Sequence, residues 1–250
     1  VFNAFIKITP DSKVTMVVKH LDMGQGVSTG LAAIVAEELD ASWEQMDWEF
    51  APADATRYNN VFWGPTQGTG GSSSIANSWM QLREAGAAAR AMLVSAAAAQ
   101  WKVPANEIQV SKGVVSHGTK NATFGELVGK AATLPAPQKP VLKDPKDFQL
   151  VGKTIPRQDS FEKTNGSAIY TQDIQLQGML TALVAYPPQI FGKVKKLDAS
   201  KAKAAAGVIA VVEIPRGVAA VADNFWAANQ ARNLLKIEWD LSSWEMRSSS

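Results

Sequence analysis

Apolar and polar residues alternate with a period of two over Phe5–Ile8 and Val14–Val18, and Thr9-Pro10-Asp11-Ser12-Lys13 between them is a turn cluster, so a β-hairpin is predicted. Beyond Gly24-Gln25-Gly26 the period changes, with Val27, Leu31, Ile34, Val35 and Leu39 sharing one helical face. Met46, Trp48 and Phe50 alternate with Asp47 and Glu49, which predicts a half-buried strand ahead of a long Pro-, Asn- and Gly-rich loop over residues 51–71. Ser72 is the expected cap of a second helix, which carries Ile75, Trp79 and Leu82 and then an alanine-dense run to about Gln100. Small side chains there permit close helix packing. Ile108–Val110 and Val114–Ser116 flank Ser111-Lys112-Gly113 as a second hairpin, and Thr123-Phe124-Gly125-Glu126 has the spacing of a capping box.

The stretch from Leu134 to Lys163 is rich in Pro, Lys and Asp and has little periodicity, so a linker is placed at 146–163. Strands are then expected at Ala168–Tyr170, Met179–Ala185, Val208–Ile214 and Leu235–Trp239, with helices at Asp198–Ala204 and Trp226–Leu234 and a further apolar run at Gly217–Ala222. The fold class is α+β (mixed α/β): one domain over 1–145, the linker, a small α/β domain over 164–240, and a tail over 241–250 without periodicity. Val1 is not an initiator methionine and the first residues already alternate like a strand, so an upstream segment such as a leader is expected.

With 250 residues, 46% hydrophobic and 19% charged, the chain is in the globular range. Its 25 basic and 23 acidic residues give no basic stripe from which nucleic-acid binding could be inferred. The absence of cysteine excludes disulfides, a thiolate zinc site, a cysteine nucleophile and any iron–sulfur cluster ligated by this chain. No apolar run approaches the roughly 18 residues of a membrane span.

Met23-Gly24-Gln25-Gly26 lies between a strand and a helix, where glycines admit a ligand to the backbone and the helix start favours an anion. The Gln25 amide donates and accepts at once, which suits a heterocycle edge or a metal-bound oxygen. Gly68-Thr69-Gly70-Gly71-Ser72-Ser73-Ser74 opens onto the second helix in the same way, and the two loops could converge on one extended anionic ligand. The plainer reading is a pair of flexible glycine turns. Gly24-Gln25-Gly26-Val27-Ser28-Thr29-Gly30 also approximates a dinucleotide fingerprint, with Glu49 near the place of a ribose-binding acid. Against this, five residues separate Val18 from Gly24, and continued βαβ alternation is missing. His20 and His117 have no acidic neighbours at metal-ligand spacing and read as ordinary polar positions. Glu37, Glu38 and Asp22 are weak acid/base candidates. The lysines between Lys193 and Lys203 read as a solvated face, and no nucleophile elbow is present.

Several segments together resemble the large, molybdopterin-binding subunit of the xanthine dehydrogenase and aldehyde oxidase family, most closely the isoquinoline 1-oxidoreductase β-subunit type. They are His20–Gly26 with Val35–Asp40, Gln67–Ser72 with Ala76–Ser78, Asp144–Phe148, and Gly166–Asp173 with Gly178-Met179-Leu180. Gly207-Val208 with its valine strand and Val221-Ala222 resemble the family's α/β hammerhead domain, and the likeness spans Phe2 to Asp240. It implies a molybdenum hydroxylase that oxidises an N-heteroaromatic compound or an aldehyde, takes oxygen from water and passes electrons to a separate small [2Fe-2S] subunit. The implied cofactor is molybdenum-molybdopterin in its cytosine dinucleotide form. Carried over residue by residue, its contacts are Gly24, Gln25 and Gly26, with Gln25 nearest the metal, and Gly70, Gly71, Ser72 and Ser73. No residue here matches the family's catalytic glutamate. Gln177 stands where a proline is usual, and the family's later molybdenum-binding portion has no counterpart after Asp240, so the chain reads as an N-terminal fragment with exposed sheet edges. The resemblance favours a periplasmic location over a cytoplasmic one. The alternative functions are a non-catalytic cofactor-binding or subunit-interaction module and an NAD(P)-dependent oxidoreductase.

Overall fold

A computed structural model describes residues 2–243, 245 and 247, which fall into two compact units divided between Ala168 and Ile169. In the first unit, β1 (Ile6–Ile8) and β2 (Val14–Val18) form the expected hairpin, with Ile6 opposite Met16. The chain then crosses through α1 (Val27–Leu39) to β3 (Met46–Phe50), which pairs with β2 in parallel, Met16 opposite Trp48. The sheet order is β1-β2-β3, so the most apolar of the three strands is central. The long loop expected after β3 contains a short helix, α2 (Ala55–Tyr58), whose Tyr58 hydroxyl donates to Ala4 O at 2.8 Å.

The alanine-dense run is α3 (Ser74–Trp101), packed along α1. A side chain on Gly86 would bring a Cβ to 2.8 Å from Glu38 Cβ and 3.0 Å from Val35 O, so the two helices cross there at a separation that only glycine permits. With the sheet on one side and α3 on another, every residue of α1 except Gly30 is buried, beyond the single stripe that periodicity predicted. The second hairpin is β4 (Gln109–Ser111) and β5 (Val114–His117). An unexpected third strand, β6 (Lys120–Thr123), leads into α4 (Phe124–Ala131). The capping box is present: Glu126 accepts from Thr123 N at 2.7 Å, and Thr123 Oγ1 from Glu126 N at 3.3 Å.

Residues 146–163, expected as a linker, lie on the first unit and end in α5 (Ser160–Asn165). Glu37 accepts from Lys143 Nζ (2.7 Å) and from the backbone N–H groups of Gln149 (2.9 Å), Leu150 (2.6 Å) and Val151 (3.0 Å). Glu38 accepts from Arg83 Nε at 2.6 Å and Lys143 N at 3.0 Å.

In the second unit β7 (Thr181–Ala185), β9 (Val208–Ile214) and β10 (Gly217–Ala222) form an antiparallel sheet of order β7-β10-β9, and β8 (Lys193–Asp198) pairs with β11 (Lys236–Asp240). The short helix α6 (Ser200–Lys203) and α7 (Phe225–Leu234) supply Ala202, Ala227, Ala228 and Ala231 to its small core. The strand expected at Ala168–Tyr170 is absent: Ile169 and Tyr170 are exposed with no partner strand, ahead of a single 3-10 turn at Thr171–Asp173. Of the expected tail at 241–250, Trp244, Met246 and Ser248–Ser250 lie outside the described residues.

Candidate functional site

The turn between β2 and α1 (residues 21–26) and the turn before α3 (residues 68–73) lie against each other. Leu21 N donates to Thr69 Oγ1 at 2.8 Å, and the buried His20 ring reaches Gly68 O at 3.1 Å. The first helical turns also meet, since a Cβ on Gly30 would sit 3.2 Å from Ile75 Cδ1. Gly24, Gln25 and Gly26 are therefore brought to the same end of the helix pair as Gly70, Gly71, Ser72 and Ser73.

The first turn neutralises its own helix. Asp22 accepts from Gly24 N (2.9 Å), Gly26 N (3.3 Å), Ser28 N (3.1 Å) and Ser28 Oγ (2.7 Å), so a carboxylate of the chain itself sits on the positive end of α1. Burial alone would raise the Asp22 pKa, but the Ser28 hydroxyl and the three N–H groups hold it below the usual carboxylate value. Arg157 stands behind this turn and donates to Gly24 O at 2.9 Å. Gln25 folds back on its own turn, accepting from Met23 N at 2.5 Å and donating to Leu21 O at 2.8 Å. Gly24 (φ 105°) faces open space where a side chain would project.

The second turn is arranged differently. Gly71 and Ser72 are both left-handed (φ 61° and 54°), and Ser72 is exposed. Ser72 does not cap α3, because the N-cap position belongs to Ser73, whose hydroxyl turns away to donate to Gly70 O at 2.8 Å and accept from Asn60 Nδ2 at 2.9 Å. The Ser73 side chain makes no capping hydrogen bond to α3. Gly68 and Gly70 are glycines for a reason within the fold: the Trp63 indole lies over them, and a Cβ on either would come to 2.7 or 3.0 Å from its ring. A groove of 370 Å³, lined in part by Val18, His20, Leu21, Phe50 and Gly68, opens where β2 and β3 end. Ligands favour the carboxyl ends of parallel strands. Beside it, the buried Lys19 donates to Gln81 Oε1 at 2.7 Å and Asn59 O at 3.1 Å, and burial lowers its pKa to about 8.

The acid/base candidates resolve into structural roles. Glu37 and Glu38 hold the segment from Lys143 to Val151, and Asp22 holds α1. His117, at the end of β5, pairs at 2.9 Å with Glu107 in the 3-10 turn ahead of β4. The NAD(P) reading meets two obstacles: the α1 start is filled by Asp22, and Glu49 is paired with Lys7. Sequence reasoning missed His20, Asn60, Asn77 and Trp63 as parts of the site. Their partners are distant in sequence and carry no local signal, whereas Asp22, two residues ahead of Gly24, has the spacing of an Asx turn.

The molybdopterin cofactor-binding domain family matches residues 2–181 of this sequence. The chain belongs to that family. Isoquinoline 1-oxidoreductase subunit beta of Brevundimonas diminuta is 34% identical over 95% of this chain and 35% of its own length. A membrane-bound aldehyde dehydrogenase of Gluconacetobacter polyoxogenes, named for pyrroloquinoline quinone, is 32% identical over 93% of this chain and 31% of its own length. The chain thus spans about a third of the length of these relatives. Among solved structures, quinoline 2-oxidoreductase from Pseudomonas putida 86 superposes on 52% of this chain and 16% of its own, with a TM-score of 0.40 and 21% identity. The likeness to molybdopterin-binding large subunits of the xanthine dehydrogenase type is thereby upheld.

Proposed function

We propose that this chain contributes part of the cofactor cradle of a molybdenum hydroxylase, and the observation that carries the reading is the hydrogen-bonded juxtaposition of its two glycine turns. The residues fit a bound pterin unequally. Asp22 already occupies the α1 start, so the anionic arm of the cofactor belongs to Gly70–Ser73 at the start of α3, where Gly71 and Ser72 are left-handed and the Ser73 side chain makes no capping bond. Gly24 offers the other wall, since a side chain there would project into open space. When bound, the group would supply two-electron oxidation of an electron-poor carbon with water as the oxygen source. This chain's residues would bind and orient it, and no general base is assigned to them.

In this reading the substrate is an N-heteroaromatic compound or an aldehyde, as the names of the relatives suggest. The cofactor is the cytosine dinucleotide form, electrons leave to a small [2Fe-2S] subunit, the second unit is a hammerhead domain, and the protein is exported to the periplasm. The test is to purify the protein with its partners and measure molybdenum by mass spectrometry, pterin by fluorescence and released CMP by chromatography. Near-stoichiometric molybdenum and pterin are expected, and Gly71→Val, which forces a β-branched residue into φ 61°, is expected to lower both at least tenfold. Protein carrying neither, or carrying pyrroloquinoline quinone instead, overturns the reading.

A further inference from the structure

His20 sits at the junction of the two turns with 1% of its surface exposed. Its Nδ1 is 3.1 Å from Gly68 O, and its Nε2 is 3.0 Å from Asn77 Nδ2 and 3.4 Å from Asn77 Oδ1. A carbonyl oxygen only accepts and an amide nitrogen only donates, so the shorter contacts select one tautomer: Nδ1–H donates to Gly68, and Nε2 accepts from Asn77 Nδ2. Asn77 also donates to Ser73 O at 2.7 Å, directly ahead of α3. The neutral ring therefore closes a run of hydrogen bonds from the end of β2, through the second turn, to the start of α3.

The imidazolium breaks that run. A proton on Nε2 would set two donors against each other at the 3.0 Å contact, and rotating the Asn77 amide to bring its oxygen in from 3.4 Å would draw its nitrogen away from Ser73 O. Among the described residues, no free carboxylate faces the ring to compensate. Lys19, next along the chain, is a cation, while the second turn presents Thr69 and α3 presents Asn77 and Gln81, all uncharged. Asp22 is committed to Gly24, Gly26 and Ser28. Burial is the largest cause holding the His20 pKa below its usual value, and the Lys19 charge acts in the same direction.

We propose that His20, acting through Asn77, is a positioning residue that sets the spacing of the two turns, and that only its neutral form holds them in the ligand-binding arrangement. The proposal rests on the reading that the turns together take a pterin cofactor, and it adds a proton-controlled latch to that cradle. The sign follows from linkage. With the folded-state value depressed, the unfolded chain protonates first, so the latch contributes fully above about pH 6.5 and its contribution is lost as pH falls below that.

Only two histidines are present, so 13C-labelled imidazole resonances can be followed in the purified protein by NMR, with His117→Gln assigning the pair. His20 is expected to titrate below about pH 6.5, with the amide resonances of Leu21, Thr69 and Gly70 changing at the same midpoint. Asn77→Asp sets a carboxylate against Nε2 and is expected to raise that midpoint by about one unit, carrying the amide transitions with it. His20→Gln removes the acid step. Circular dichroism checks that each variant is folded, and the wild-type titration alone decides if one is not. Bound pterin, read by fluorescence after release, is expected to fall at least tenfold below the midpoint. Amides that stay still through the His20 titration, or that ignore a midpoint moved by Asn77→Asp, overturn the latch even if pterin is bound. Amides that follow His20 in protein that never carries pterin uphold the latch and overturn the cofactor reading.

Discussion

Asp22 does for α1 what a bound anion does for other helices, and this changes what the first glycine turn is for. Four hydrogen bonds converge on one carboxylate, so Asp22→Asn removes the charge and half of the acceptor capacity, and Asp22→Ala removes both. The expected cost of Asp22→Ala is about 1–2 kcal/mol, the range for loss of a cap with its dipole interaction. Because the native pKa lies below the usual carboxylate value, this contribution is fully present above about pH 4 and disappears on acidification. Urea melts at pH 7 and pH 3 check it: the gap between wild type and Asp22→Ala should be open at the first pH and closed or narrowed at the second. The turn itself was legible in the spacing of Gly24 and Gly26. That its helix start would be filled by an acid from the same turn was not, because an aspartate in that position suits a solvated turn equally well.

At the scale of elements, the α1–α3 crossing dominates the first unit, and Gly86 marks its closest point. Gly86→Ala gains about 1 kcal/mol in helix propensity but must displace Glu38 Cβ or the Val35 carbonyl, an overpacking cost of about 1–3 kcal/mol. A net loss of stability is expected, whereas Gly129→Ala in α4, where nothing lies within 4 Å of the new Cβ, is expected to be stabilising. Paired thermal melts of the two variants separate packing from propensity. The helices were legible because their period and the alanine density are written in neighbouring residues. The complete burial of α1 was not, since a helix covered by a sheet and by a second helix is distinguished by what surrounds it. The false strand at Ala168–Tyr170 has the same cause, because short apolar runs become strands only where a partner offers hydrogen bonds.

Across the whole molecule, the segment from Lys143 to Val151 is part of the first unit because of two adjacent glutamates. Glu37 binds three successive N–H groups and Lys143, while Glu38 binds Arg83, whose guanidinium lies 5.3 Å from the Phe148 ring centroid and donates to Lys143 O at 2.6 Å. Glu37→Gln leaves Lys143 without one of its partners in a buried setting, for which the expected cost is about 3 kcal/mol. Amide exchange at Gln149–Val151 should accelerate more than exchange in β2. In the wild type the same acceleration should come with acidification: burial would raise the Glu37 pKa, but Lys143 and the three N–H groups hold it below the usual value, so protection is complete at neutral pH and lost through the carboxylate range. Equal acceleration everywhere would mean global unfolding and refute the clamp. What the sequence determined by itself was local: hairpins, helix periods, the Thr123 capping box and two glycine turns, each encoded by residues within a few positions of one another. Tertiary structure alone decided that those turns meet, that a histidine and an asparagine 57 residues apart join them, and that a Pro- and Lys-rich stretch is clamped rather than free. Those outcomes depend on pairs of groups that packing brings together from far along the chain, and a one-dimensional pattern carries no record of which distant donor will face which acceptor.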